Sequence, residues 1–533
     1  MVEIKDPKSK KYDRQLRIWG AHGQAALESA KICLLNCGPT GSETLKNLVL
    51  GGIAGFTIVD GSKVEQQDLG NNFLLSEADL GHSKAQGVSS LLKELNDSVT
   101  GGFVETDPEQ LINDQPAFFN NFSLVIATQL REATMLKLDD ICRAEGVKLL
   151  AVRSYGLVAT LRVSAAEHAI VETKPDNAVG DLRFHAPWKE LHDFAMSFKL
   201  AEMDEIMHKH LPFAILLIQA VGHWKAGHQG KLPSGSKERT DFKALLKSWQ
   251  RQIDGIPVEE ENFSEAMTNA SKVWSQHGIP SEVQAILEDD CMNLNSSSST
   301  FWCLAAALKR FIEQEGQGCL PLEGTLPDMH ATTDLYLQLQ RVYQTKAESD
   351  VTAVETHLRA ILKDNASSIS SISRAEVKLF CKNARHLRLV RFRRLSEEFG
   401  ISCKHNVLRQ ALTAEDQATN ATLYILLRAV DRFYESHKHF PGTFDSPPES
   451  EIPMLKAKAG ALLSEVGASP SPAWDDCLAE MCRFGAGELH CVAAIIAGMA
   501  AQEGIKLLTK QFVPQSGTLV YNAMGSTTSV FCL

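Results

Sequence analysis

The segment Lys31 to Gly41, KICLLNCGPTG, constrains this chain more than any other, because it reads as a buried strand running straight into a glycine loop and then a helix. Ile32 to Leu35 form the short apolar run of a strand covered on both faces, and Ser42 to Leu50 carry helical apolar spacing. In a working G-x-G-x-x-G loop the glycines permit a tight turn and let backbone N–H groups approach a phosphate at the helix N-terminus. Here the three glycine positions read Asn36, Gly38 and Gly41. A side chain stands at the first, and Pro39 removes an N–H donor from the loop. The frame is kept while its phosphate chemistry is altered. A second apolar run, Gly55 to Val59, ends in Asp60, about twenty residues past the loop, where a ribose-binding carboxylate sits in such folds.

Those features alone fit any Rossmann-like protein. KYDRQLRIWG (Lys11 to Gly20), LKNLVLGGI (Leu45 to Ile53), VDGSKVEQQDLGNNF (Val59 to Phe73), DLGHSKA (Asp79 to Ala85) and AAQEGIKLLTKQF (Ala500 to Phe512) narrow the choice. In this order they resemble the ThiF/MoeB-type adenylation fold of ubiquitin-like-modifier activating enzymes. Within that superfamily the chain is most similar, over nearly its whole length, to the non-catalytic subunits of heterodimeric NEDD/RUB-activating enzymes, the amyloid-precursor-protein-binding and plant auxin-resistance protein family.

The resemblance implies an α/β, Rossmann-type adenylation fold with a pseudo-active site, interrupted by a large, mainly helical insertion. The two parts of the pseudo-adenylation domain are expected at residues 1–168 and 481–533, and the insertion, which corresponds to a catalytic-cysteine domain without its cysteine, at 169–480. It further implies a regulatory subunit that binds no cofactor itself. Its catalytic partner would hold ATP and Mg, adenylate the C-terminus of the NEDD/RUB modifier and form the thioester, in support of cullin neddylation. The partners implied are that catalytic subunit, the modifier and, through the complex, the conjugating enzyme, in nucleus and cytoplasm.

Departures from the active pattern support the pseudo-active reading. Active relatives use an arginine where this chain has Asn71, which removes a charged phosphate clamp. The phosphate-binding lysine of D-x-G-K-x-K-A is His82, mostly neutral at pH 7, although Lys84 remains. The magnesium-binding aspartate expected after Leu124 to Ala127 is Thr128, followed by Gln129, so the cation loses its main protein ligand. One active-type feature survives in YDRQ. By resemblance, Arg14 reaches across the dimer into the partner's nucleotide site and stabilises phosphate charge in trans. The alternative is a surface arginine pairing with Asp13 or Glu28.

Twelve cysteines show no C-x-x-C pair, and none is followed by Thr as the thioester-forming cysteine of such enzymes would be. Sequence leaves an activated thiol open for a cysteine such as Cys381, beside Lys382; most read as buried small residues. A net charge of −11 argues against non-specific nucleic-acid binding. No run approaches the 18 or so apolar residues of a membrane span, and the N-terminus has no apolar signal core, so neither membrane nor metal is expected.

Within the insertion, Ala220 with Trp224, Ala307 with Phe311 and Ala429 with Phe433 share an i, i+4 spacing that stacks a small and a large side chain on one helix face. These read as packing devices, separated by breaks such as Asn295 to Thr300 and Ser446-Pro447-Pro448. By resemblance, His210 and the stretch Asp328 to Arg341, with Met329, Leu335, Tyr336 and Leu339, face the catalytic subunit. An ordinary core element fits the leucines equally well. Past Phe512 too few residues remain for the ubiquitin-like domain that catalytic subunits carry. Three classes stay open: an obligate partner subunit, a self-sufficient adenylating enzyme with unusual ligands, and a Rossmann-type adaptor. Asn71, His82 and Thr128 weigh against the second, and Arg14 with QEGIKLLTKQF against the third.

Overall fold

The computed structural model describes residues 10–175, 180–254, 256–275, 278–364, 372–400, 402–443 and 447–533; Ser446 of the expected breaks lies outside them. Two compact units emerge, one built from residues 1–170 and 390–533, the other from 171–389.

The first unit is organised by an eight-stranded sheet. Its strands are β1 (Lys31–Leu35), β2 (Gly55–Val59), β3 (Thr100–Val104), β4 (Leu124–Thr128), β5 (Lys148–Tyr155), β6 (Val158–Ser164), β7 (Thr518–Asn522) and β8 (Thr527–Phe531). They lie in the order β8-β7-β6-β5-β4-β1-β2-β3, parallel from β5 to β3 and antiparallel from β5 to β8. Because β1 pairs with both β2 and β4, the strand order reverses there, and the crevice outside the carboxyl ends of β1 and β4 is where such sheets bind ligands. Ile32 and Leu34 enter one apolar cluster while Cys33 and Leu35 enter another on the opposite face. Period-2 alternation with both faces buried is why the run reads as continuous apolar sequence.

Helix α1 (Asp13–Ser29) forms the N-terminal arm, kinked at Gly20, and α2 (Pro39–Gly51) follows the glycine loop with Pro39 at its first turn. The C-terminal helix α3 (His490–Thr509) is long and apolar enough to cross a membrane by length and composition, which the absence of a long apolar run did not foresee. Val492, Ile496, Ala500 and Leu507 enter the core on one face of the sheet, and Gly504, with no side chain, lets the helix approach Leu124 and Leu150. Its apolar character is that of a core helix.

Residues 390–480, expected in the insertion, cluster instead with the sheet. Arg162 Nε lies 2.9 Å from Glu398 Oε2, Arg428 Nε 3.0 Å from Glu132 Oε2 and Arg153 Nη1 2.8 Å from Asp431 Oδ1. Tyr424 and Thr518 both donate to Glu398 Oε1. The three ion pairs each join groups more than 200 positions apart, so no local pattern marks them as partners. The first boundary, at 170, lies within two residues of the expected 168; the second falls at 389 rather than 480.

The second unit is helical around a core that includes Phe213, Leu217, Trp224, Phe242, Phe263, Leu335, Leu339 and Tyr343. Ala220 and Trp224 are buried in this core, Ala307 and Phe311 are buried elsewhere in the same unit, and Ala429 and Phe433 are buried in the first unit.

Candidate functional site

The loop from β1 to α2 closes on itself. Asn36 adopts φ 63°, a left-handed conformation that asparagine tolerates, and its Nδ2 donates to Thr128 O at 2.8 Å. Thr128 Oγ1 in return lies 2.7 Å from Asn36 O and 3.0 Å from Leu35 O. A hydroxyl can donate to these carbonyls, whereas an ionised carboxylate at the same place could only repel them. Gly41 is required here, since a Cβ would stand 2.3 Å from Asn36 O.

Asp60 occupies its expected position at the end of β2, but its oxygens are engaged. Cys37 N and Sγ lie 2.9 and 3.3 Å from Oδ2; Ser62 N and Oγ lie 2.9 and 2.6 Å from Oδ1. Four donors on one buried carboxylate fill its lone-pair sites and tie the glycine loop to the next one.

A cleft of about 620 Å³ lies in front of the loop, bordered by Gly38, Pro39, Asp68, Asn71, Lys84, Gly442, Arg483 and residues 484–488. Lys84 Nζ sits 2.9 Å from Asp68 Oδ1; burial works to lower its pKa, but the hydrogen bond and charge of Asp68, helped by Asp60 and Cys37, raise it on balance. The cation is kept and already paired. Asn71 Nδ2 donates to Glu488 O at 3.0 Å, so the residue that replaces an arginine serves as a strut. His82 is exposed and does not border the cleft.

The residue that sequence reasoning missed is Glu488. Its Oε2 accepts from Thr40 Oγ1 at 2.6 Å and from Thr40 N, in the first turn of α2, at 3.3 Å, with Ser154 Oγ at 3.4 Å. Burial pushes its pKa above the usual carboxylate range, opposed by the hydrogen bonds from Thr40, Gln129 and Ser154. A Cβ on Gly38 would meet Glu488 Oε1 at 2.5 Å, so the loop's surviving glycine makes room for a side chain of the same protein. The only sequence signal was an acidic residue behind Gly485-Ala486-Gly487, and its partner Thr40 is 448 positions away.

The residues present do not fit Mg·ATP. A hydroxyl locked to two carbonyls stands at the metal-ligand position, and a carboxylate faces the helix N-terminus where phosphate would bind.

Burial, then the charge of Asp350, pushes the Cys381 thiol up to about 12, and burial also raises Cys33, Cys37, Cys142, Cys477 and Cys482. Such thiols are poor nucleophiles.

Arg14 is exposed on α1 and does not border the cleft; of its two alternative partners, Asp13 pairs with Arg17 at 3.1 Å. In the second unit, His210 stacks on His330 at 4.9 Å, which brings it beside the exposed Asp328 and the half-buried Met329. Tyr336 donates to Leu326 O at 3.3 Å. Leu335 and Leu339 correct the interface expectation. Both are buried in the unit's own core, one helical turn apart, while Leu337 faces outward.

A family model described as "ThiF family" matches residues 12–532. The NEDD8-activating enzyme E1 regulatory subunit AXL of Arabidopsis thaliana is 48% identical over 97% of this chain and 98% of its own. The chain belongs to the ThiF family, among the NEDD8-activating enzyme E1 regulatory subunits. AXR1, the regulatory subunit of the same name from the same plant, is 48% identical over 97% of this chain and 95% of its own, and the Gallus gallus regulatory subunit 43% over 99% and 98%. Membership in the regulatory-subunit family agrees with the expected fold and function, and it gives the closed loop of Asn36 and Thr128 a context in which catalysis by this cleft is not required.

Proposed function

We propose that this chain is the non-catalytic half of a heterodimer in which a catalytic partner binds ATP and Mg²⁺, adenylates the C-terminus of NEDD8 and forms the thioester. The single observation that carries the reading is that the chain's own groups fill the crevice: the Thr128 hydroxyl, bonded to Leu35 O and Asn36 O, stands where a metal-binding carboxylate is needed, and the Glu488 carboxylate, bonded to Thr40, stands where the phosphate itself would sit. The chain contributes scaffold, part of the modifier-binding surface and Arg14. An exposed guanidinium with no partner among the described residues is available to a neighbouring subunit, and it stabilises phosphate charge without needing its own cleft to bind nucleotide. His210, Asp328 and Met329 form the surface assigned to the catalytic subunit. The complex, rather than this chain, passes the modifier to the conjugating enzyme, in nucleus and cytoplasm.

The test is modifier-dependent ATP–pyrophosphate exchange by the chain alone and with a catalytic subunit. Exchange is expected only from the complex. Magnesium-dependent exchange by the pure chain, abolished by changing Asp60, would make it a self-sufficient adenylating enzyme.

A further inference from the structure

We propose that Glu488 is an internal ligand, a carboxylate that occupies the anion position at the N-terminus of α2 and thereby keeps a cleft that retains an anion-binding frame closed to phosphate compounds. A helix N-terminus presents unpaired N–H groups and a partial positive charge, and it recruits an anion when one is within reach. In α2 no side chain of the capping residue does this, because that residue is Gly38. Glu488 does it from the far end of the chain, taking the Thr40 N–H and hydroxyl.

Its placement is enforced from several directions. Gly156 N donates to Gly487 O at 2.7 Å, Asn71 Nδ2 donates to Glu488 O, and His490 Nδ1 lies 2.9 Å from Asn71 O. Gly38 leaves space for the carboxylate that any Cβ would remove. Lys84 on the cleft wall remains charged through Asp68, so removal of Glu488 would leave a glycine loop, a helix N-terminus and a lysine facing a cavity large enough for a diphosphate. The missing charge clamp and metal ligand explain why the cleft does not catalyse; Glu488 explains why it does not bind.

The inference builds on the reading of the cleft as non-catalytic, yet its test needs neither the catalytic subunit nor the modifier. The full-length chain, Glu488→Ala and Glu488→Asp are melted with rising inorganic pyrophosphate, and binding is measured by calorimetry. The wild-type protein is expected to be unmoved. Glu488→Ala should melt lower and be restored progressively by pyrophosphate, with affinity at least tenfold above wild type, and adding Lys84→Ala should abolish the response. Glu488→Asp, which retracts the carboxylate by one methylene and keeps the fold if Ala does not, should respond in the same direction but less. A folded Ala or Asp variant that melts lower with no pyrophosphate response would reduce Glu488 to a structural cap and overturn the proposal. So would wild-type protein that binds pyrophosphate as tightly as the variants.

Discussion

At the scale of single residues, the cleft shows how a small change in side-chain chemistry fixes what a site can hold. Thr128 donates to backbone carbonyls that a carboxylate would repel. Thr128→Asp is therefore expected to destabilise the protein by about 2–4 kcal/mol instead of restoring a metal site, whereas Thr128→Ser should stay within about 1 kcal/mol. Urea midpoints check this; an Asp variant as stable as wild type would mean that the loop opens freely. The replacements at 36, 71, 82 and 128 were legible in the sequence because each stands in a motif of known spacing. Glu488 was not, because a contact between chain ends leaves no local periodicity.

His168 gives a second residue-scale test. It is buried with Nε2 lacking a hydrogen-bond partner among the described residues, and burial, then the charges of Lys148 and Lys510, lower its pKa to about 3 from 6.5. Between those values the unfolded chain binds a proton that the folded chain does not, so stability falls as pH drops below about 6.5, by about 1.4 kcal/mol per unit. From pH 7 to 5 this amounts to about 2 kcal/mol that His168→Leu should not lose. Equal losses in both proteins would show that folded His168 takes up its proton freely.

At the scale of elements, strands β1, β2 and β4 were legible as apolar runs ending at the loop, since a doubly covered parallel strand writes its burial into consecutive residues. The attachment of residues 390–480 to the sheet was not, because it depends on charges at distant positions. Glu398 holds it at a buried junction: it pairs with Arg162 and accepts from Tyr424 and Thr518. Removing one member of a buried pair strands the other, so Glu398→Ala is expected to cost about 3–5 kcal/mol and to expose the 390–480 helices to protease. A loss below about 1 kcal/mol would mean that Arg162 finds other partners. Leu335 and Leu339 carry the opposite lesson: leucines at helical spacing suit an interface and a core equally, and only packing decides.

At the scale of the whole molecule, the chain keeps a sheet, a crevice and a helix end whose N-terminal turn is bonded by its own Glu488, and Arg14 stands exposed on α1. The cysteines follow the same pattern. Replacing each in turn by Ser should leave thioester formation by the complex intact, apart from folding losses at buried positions such as Cys381; one substitution that removes the thioester from a stable complex would place the nucleophile here. The sharpest measurement is single-turnover adenylation by the assembled heterodimer at saturating ATP, with assembly followed by sizing. Arg14→Ala should slow adenylation by roughly tenfold or more, though less than the ~10³ or greater loss of an arginine finger in GTPases, because Mg²⁺ and the partner's own basic residues share the charge. Arg14→Lys should recover only part of the rate, since it keeps the charge without the fork. An unchanged rate in a fully assembled Arg14→Ala complex would contradict the trans role and leave the chain as scaffold alone.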